Sequence, residues 1–278
     1  MRRWRFSKGH GTQNDFVVLL DRENVLDPSD EDVRWLCDRR AGIGGDGLLR
    51  AVMARHVPEW DGDPGLWFMD YRNADGSVAQ MCGNGVRVFV RYLLDQGLAT
   101  GPTVDVATRA GLKPATALPD GRVRVGMGRV AVAPGTVRVT TAGGSAYDAT
   151  SVDVGNPHAV SVVTGVGSLD LTREPRWEPA EAFGEGVNLE FVEPLGERHV
   201  AMRVHERGVG ETRSCGTGTV AAAAAARALG VGGASGGDGV WTVDVPGGRV
   251  EVELVGDEAH LTGPAVLVAH GEVTLPPR

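Results

Sequence analysis

Short runs of β-branched and other apolar residues recur along the chain, broken by glycine-, proline- and aspartate-rich turns. They are Phe16 to Leu20, Val104 to Ala107, Arg122 to Val125, Thr136 to Thr140, Val160 to Val163, Val200 to Val204, Val240 to Val245, Val250 to Leu254 and Ala265 to Val268. Runs of this length and make-up predict strands. One segment has a different period: in Ser29 to Arg40 (SDEDVRWLCDRR), Val33, Leu36 and Cys37 fall on one face and Ser29 stands where an N-cap belongs, which predicts an amphipathic helix. Cys37 is thereby assigned to the core. Val86 to Leu94 and Val220 to Leu229 are nearly apolar all round, so each is expected to form a helix wrapped by sheet. The alanine run Ala221 to Ala226 lets strands approach closely, and Gly97 and Gly230 are the expected C-caps.

The two buried helices belong to a repeat. Asn73 to Gly85 reads NADGSVAQMCGNG and Glu206 to Gly218 reads ERGVGETRSCGTG; Cys82 and Cys215 are 133 residues apart, as are Asn73 and Glu206, and Gly97 and Gly230. An earlier echo sets Asn14-Asp15-Phe16 against Asn156-Pro157-His158 and Gly42-Ile43-Gly44 against Gly184-Glu185-Gly186, both at an offset of 142. A loop-length change between two copies accounts for the difference in offset. The chain therefore reads as two topologically similar halves, each placing a Cys-Gly-x-Gly turn at a helix start.

Length, charge and cysteine usage narrow the options. A chain of 278 residues buries a full core in one large or two moderate domains, and two is the expectation. A formal net charge of -8, with no basic run, excludes nucleic acid as the expected partner. The absence of a long apolar stretch or a signal-like N-terminus points to a cytoplasmic protein without a membrane partner. Three cysteines with no CxxC pair suggest reduced thiols, with neither a disulfide framework nor a metal site.

Chemistry concentrates at the duplicated turn. A thiol at a helix N-terminus meets unpaired N–H groups and the positive end of the helix dipole, which favour the thiolate. Glycines 83, 85, 216 and 218 remove bulk, so that a substrate carboxylate can reach the same amides. Two such turns suit stereoinversion at an α-carbon: one cysteine removes the proton as thiolate, and the other returns one to the opposite face as thiol. Charge developing on the carboxylate is stabilised by oriented amides, so no cofactor is expected. Pyridoxal phosphate would need a Schiff-base lysine, and neither Lys8 nor Lys113 lies in a phosphate-cradling context.

The ordered set FSKGHGTQNDF (6–16), RRAGIGGDGLL (39–49), NADGSVAQMCGNG (73–85), GNPHAV (155–160), GVNLEF (186–191), ERGVGETRSCGTG (206–218), VDVPGG (243–248) and LTGPA (261–265) resembles the diaminopimelate epimerase family nearly end to end. The resemblance implies an α/β (α+β) protein of two pseudo-symmetric halves, each a mostly antiparallel sheet or barrel around a central helix. It puts the first half at 1–128 with 264–278 returning to it, and the second at 129–263. It also implies a homodimer acting on a small molecule, diaminopimelate, without cofactor. By the same resemblance Cys82 and Cys215 are the catalytic pair, and Gly83, Asn84, Gly216 and Thr217 hold the reacting carboxylate. Asn14, Asn73, Asn156, Asn188, Glu206 and Arg207 hold the substrate, and His158 and Glu206 tune the thiols. Thr12-Gln13 departs from the glycine and small apolar residues common in that family before the asparagine. Two alternatives stay open: another cofactor-independent racemase of the same fold, acting on proline or histidine, and a thiol redox protein.

Overall fold

The computed structural model describes residues 2–233 and 236–277, with the backbone alone at 134–136; Met1, Ala234, Ser235 and Arg278 lie outside the described residues. The chain divides into two compact units, Met1–Val125 with Gly263–Arg278, and Gly126–Thr262.

In the first unit the carboxy-terminal strand Val266–Thr274 pairs antiparallel with Arg3–Gly11, which pairs antiparallel with Asn14–Leu20. The order continues parallel to Gly47–Met53, antiparallel to Trp67–Asn73, parallel to Thr103–Thr108 and antiparallel to Gly111–Ala117. Residues 115–117 then pair antiparallel with 123–125. The second unit runs through the same alternation. Ala131–Thr140 is antiparallel to Ala146–Asp153, which is antiparallel to Pro157–Val162. The sheet continues parallel to Asn188–Gly196, antiparallel to His199–Glu206 and parallel to Gly239–Val245. Gly248–Val255 and the strand beginning at Glu258 follow, both antiparallel. The sequence repeat is thus a repeat of strand order.

Helix α1 (Asp30–Cys37) is capped as expected: Ser29 Oγ accepts from the Asp32 amide and Asp32 closes the capping box. It stops three residues short of the expected Arg40. The Asp38 carboxylate accepts from the Arg40 and Ala41 amides at 2.7 Å each, an Asx turn that competes with a further helical turn. Val33, Leu36 and Cys37 pack on Trp4, Val17, Leu19 and Leu48, which places Cys37 in the core.

Helix α2 (Gly83–Asp95) lies against strands Arg3–Gly11, Asn14–Leu20, Gly111–Ala117 and Val266–Thr274. Helix α3 (Gly216–Ala228) lies against Ala146–Asp153, Pro157–Val162 and Asn188–Gly196. Ala221 to Ala226 are at most 1% exposed, so strands close on a helix with almost no side-chain girth. Gly97 and Gly230, at φ +63° and +64°, follow the helices in the left-handed conformation that ends them. Both helices begin directly after the cysteines, where the Cys-Gly-x-Gly turns were expected to start them, three or four residues ahead of the apolar runs. One expectation changes: α2 is not apolar throughout, because Arg87 is fully buried within it. Several strands carry no alternation to betray them; every residue of Gly47–Met53 is buried, which erases a period of two. No helix among the described residues is long and apolar enough to cross a membrane.

Candidate active site

Cys82 and Cys215 are the N-caps of α2 and α3, in extended conformation, a position more often held by Ser, Thr, Asp or Asn. Each sulfur does the work of such a cap. Cys82 Sγ accepts from the Gly85 amide at 3.4 Å, and Cys215 Sγ from the Gly218 amide at 3.4 Å. Gly83 and Gly216 open the two helices, so their amides point outward with no intrahelical partner. The duplicated motif therefore builds the same object twice: a sulfur beside unfilled helix donors.

The surroundings of the two sulfurs differ. In the first unit Asn14 Oδ1 accepts from Cys82 Sγ at 3.6 Å and from Asn84 Nδ2 at 3.2 Å, and Asn14 Nδ2 donates to Asp46 Oδ2 at 2.8 Å. Asp46 and Asp15 share Arg39 (2.7 Å to each), and Lys8 joins Asp15 at 2.6 Å. Burial opposes the charge of Asp15, but Arg39 and Lys8 outweigh it and hold the carboxyl well below its ordinary range. Lys8 is thus committed to an ion pair. Asn73 closes its own turn, donating to Ser77 Oγ at 3.0 Å.

In the second unit Asn156 takes the place of Asn14, its Nδ2 lying 3.4 Å from Thr217 Oγ1, and that hydroxyl is 3.6 Å from Cys215 Sγ. His158 is fully buried between Asn156 Oδ1 (3.1 Å from Nε2) and Glu190 Oε1 (2.7 Å from Nδ1). Glu206 hydrogen-bonds to Thr212 and Cys215; burial raises its carboxyl above the ordinary range against the pull of those two bonds. Asn188 donates to the Pro157 carbonyl at 3.2 Å and accepts the Arg207 amide at 3.1 Å. The exposed Arg207 side chain donates to the Glu185 carbonyl at 3.2 Å.

One expectation is reversed. Placement at a helix start was expected to favour the Cys215 thiolate, but burial pushes that thiol well above its ordinary value, and the charges of Glu206 and Glu190 push it further. The bonds from Thr217 and Gly218 offset only part of this. In this conformation Cys215 is a thiol hydrogen-bonded to Glu206. For Cys37, burial pushes the thiol up to about 12, as befits an inert core residue.

Sequence reasoning missed Glu190, Asp46 and Arg87. Glu190 is fully buried with Oε2 unpartnered, and it stands over Gly218, where an added Cβ would come within 2.6 Å of Oε1. Glu190 and Arg87 had the same signal, a lone charge inside an otherwise apolar run (VNLEFV and GVRVFV). Asp46 had none beyond its glycine-rich setting.

Solved structures show what fold this is. A predicted epimerase from Pseudomonas aeruginosa matches with a TM-score of 0.72 at 15% identity, over 98% of this chain and 100% of that one. A phenazine biosynthesis protein of the PhzF family from Bacillus anthracis matches at 0.70 and 14%, over 99% and 100%. A hydroxyproline epimerase from Agrobacterium vitis matches at 0.68 and 18%, over 98% and 91%. The fold is the one these proteins share, built from strand-wrapped helices in pseudo-symmetric halves. Residues 6–133 and 150–275 match the family model of diaminopimelate epimerase. Relatives named diaminopimelate epimerase are 52% identical in Streptomyces coelicolor (96% of this chain, 94% of that one) and 49% identical in Thermobifida fusca (98% of each). The chain belongs to the diaminopimelate epimerase family and is an isomerase.

Proposed function

We propose that the protein inverts one α-carbon of LL-diaminopimelate to give the meso form, with Cys82 and Cys215 as the two bases and no cofactor. The reading rests on the twin helix starts, each with a cysteine as N-cap, in a chain about half identical to named diaminopimelate epimerases. In the forward step a thiolate takes the α-proton; the C–H bond breaks, an S–H bond forms, and the electron pair spreads into the adjacent carboxylate. The amides at Gly83-Asn84 and Gly216-Thr217 hold that carboxylate. The other thiol then gives its proton to the opposite face, becoming the thiolate. Proton transfer from a placed group is worth about 10²–10⁴ in rate.

Glu206 supports the assignment of Cys215 as base, since it is bonded to that thiol and its raised pKa suits it to receive the proton. His158, held by Glu190 and Asn156, shapes the same pocket. Asn73, Asn156, Asn188 and Arg207 are read as holding the distal amino-acid end of the substrate, with the planar Arg207 guanidinium suited to its carboxylate. The same reading takes the protein as a cytoplasmic homodimer in lysine and cell-wall precursor biosynthesis. Incubation with LL-diaminopimelate in deuterated water under reductant is expected to give meso product carrying deuterium at the inverted α-carbon. No inversion and no exchange with this substrate, alongside turnover of proline or histidine, would overturn the proposal.

A further inference from the structure

Four side chains in the first unit, Arg87, Asn84, Asn14 and Asp46, form a chain beside Cys82 in which charge decides which way each amide faces. Arg87 is fully buried one turn into α2, and its partners are three neutral oxygens. It donates to the Pro264 carbonyl at 2.9 Å, to the Thr12 hydroxyl at 2.8 Å and to Asn84 Oδ1. Among the described residues no carboxylate lies within ion-pair distance of it. Burial lowers its guanidinium to about 10, so it is still a cation at neutral pH. A guanidinium has no acceptor, so the Asn84 atom facing it has to be the oxygen, and Asn84 Nδ2 turns to Asn14. At the far end Asp46, ion-paired to Arg39, offers only acceptors, so Asn14 turns Nδ2 to it at 2.8 Å and Oδ1 to Cys82.

The second unit lacks this lock. At the offset of 133, Val220 stands in place of Arg87 and Thr217 in place of Asn84. The cysteine there faces Glu206 and Glu190 instead, and Leu49 is the neighbour of Gly85 where Glu190 is the neighbour of Gly218.

We propose that Asp46 and Arg87 are positioning residues that fix the Asn14 and Asn84 amides, so that Asn14 presents an oxygen to Cys82 and keeps it a protonated thiol in the resting enzyme. Cys82 is then the proton donor of the first turnover, and Cys215, bonded to Glu206, is the base. The inference deepens the two-base reading and rests on it. Charged groups that bear on Cys82 include Arg87 on its own helix and, through Asn14, Asp46 with its partners Arg39, Asp15 and Lys8. Arg87 favours the thiolate by charge, and the Asn14 oxygen opposes it by accepting the S–H proton.

The test is the pH dependence of iodoacetamide alkylation at Cys82, followed by peptide mass spectrometry in the full chain carrying Cys215→Ser. In Asp46→Asn the carboxylate that holds Asn14 Nδ2 is gone and only Asn84 Nδ2 still fixes that amide, so the Asn14 oxygen is held less firmly at the sulfur while Arg87 remains. Alkylation at pH 7.5 is expected to rise about tenfold, one pKa unit. Asn14→Ala, which deletes the acceptor, should shift the profile the same way and serves if Asp46→Asn does not fold. Arg87→Met should shift it the opposite way. Profiles for Asp46→Asn and Asn14→Ala that coincide with the parent, or move to higher pH, overturn the inference. Alkylation reads the sulfur without turnover, so its failure is distinct from a failure to invert diaminopimelate.

Discussion

At the scale of single residues, the asymmetry around the two sulfurs is the feature with the clearest consequences. The charge of Glu190 raises the Cys215 thiol, while its Oε1 meets His158. Glu190→Gln keeps an acceptor for the imidazole and removes the charge. In a Cys82→Ser background, alkylation of Cys215 at pH 8 should therefore speed up several-fold, because one of two charges that raise its thiol is gone. An unchanged rate would mean that Glu190 does not act on that thiol by charge. The cysteines stood out in the sequence because they sit in a motif duplicated at a fixed offset, whereas the asparagines and His158 were singled out by family resemblance. The rest was not legible: which side of Asn14 faces the sulfur depends on Arg39 and Asp46 from one segment and Arg87 from another. Nor could a motif foretell that burial and two carboxylates would outweigh a helix terminus at Cys215.

At the scale of elements, the glycines one turn into α2 and α3 look interchangeable in sequence but are not. A Cβ on Gly85 would meet Cys82 Cβ and Leu49 Cδ2 at 3.3 Å, whereas one on Gly218 would come within 2.6 Å of Glu190 Oε1 and 3.2 Å of Cys215 Cβ. Alanine gains about 1 kcal/mol over glycine inside a helix, which offsets mild crowding at position 85. Gly218→Ala should cost about 1–3 kcal/mol through overpacking and should displace Glu190; Gly85→Ala should stay within about 1 kcal/mol of the parent. Thermal midpoints of the two variants measure this, and equal losses would contradict it. The apolar runs marked the centres of both helices; their starts, which have neither hydrophobicity nor helix propensity, were marked instead by the duplicated Cys-Gly-x-Gly turn. Conversely, Asp38 ended α1 early by a local side-chain bond that periodicity does not register.

At the scale of the whole molecule, the repeat was the most legible property, since two copies of one strand order leave matched turns at a nearly constant spacing. The pairing of the last strand with the first was implied only by family resemblance; nothing in the composition of Val266–Thr274 specifies its neighbour. Acid sensitivity follows from ion pairs buried in the first unit. Asp70 lies among Arg50 (2.8 Å), Arg109 (2.6 Å) and Arg72 (3.5 Å). Burial works against its charge, but the three guanidinium groups prevail and lower its carboxyl. A carboxyl with a lowered folded-state value stabilises fully above its unfolded value, about 3.9, and that contribution is lost as pH falls toward the folded one. Asp15 acts in the same sense. The urea midpoint is expected to hold from pH 7 to 5 and fall below about pH 4. Asp70→Asn should cost about 3–5 kcal/mol at neutral pH and flatten that acid limb; a limb as steep as the parent's would assign it to other groups.

Because Val266–Thr274 borders Arg3–Gly11, the earlier of the two strands lacks its partner until all of Gly126–Thr262 has been synthesised. Its unit is interrupted by the whole of Gly126–Thr262, a continuous stretch that can mature sooner. At about 5–20 residues per second, the nascent amino-terminal sheet waits on the order of ten seconds with an open edge. The order of synthesis and the order of completion are therefore inverted between the two units, and the strands made before Gly126–Thr262 stay open to stray pairing the longer.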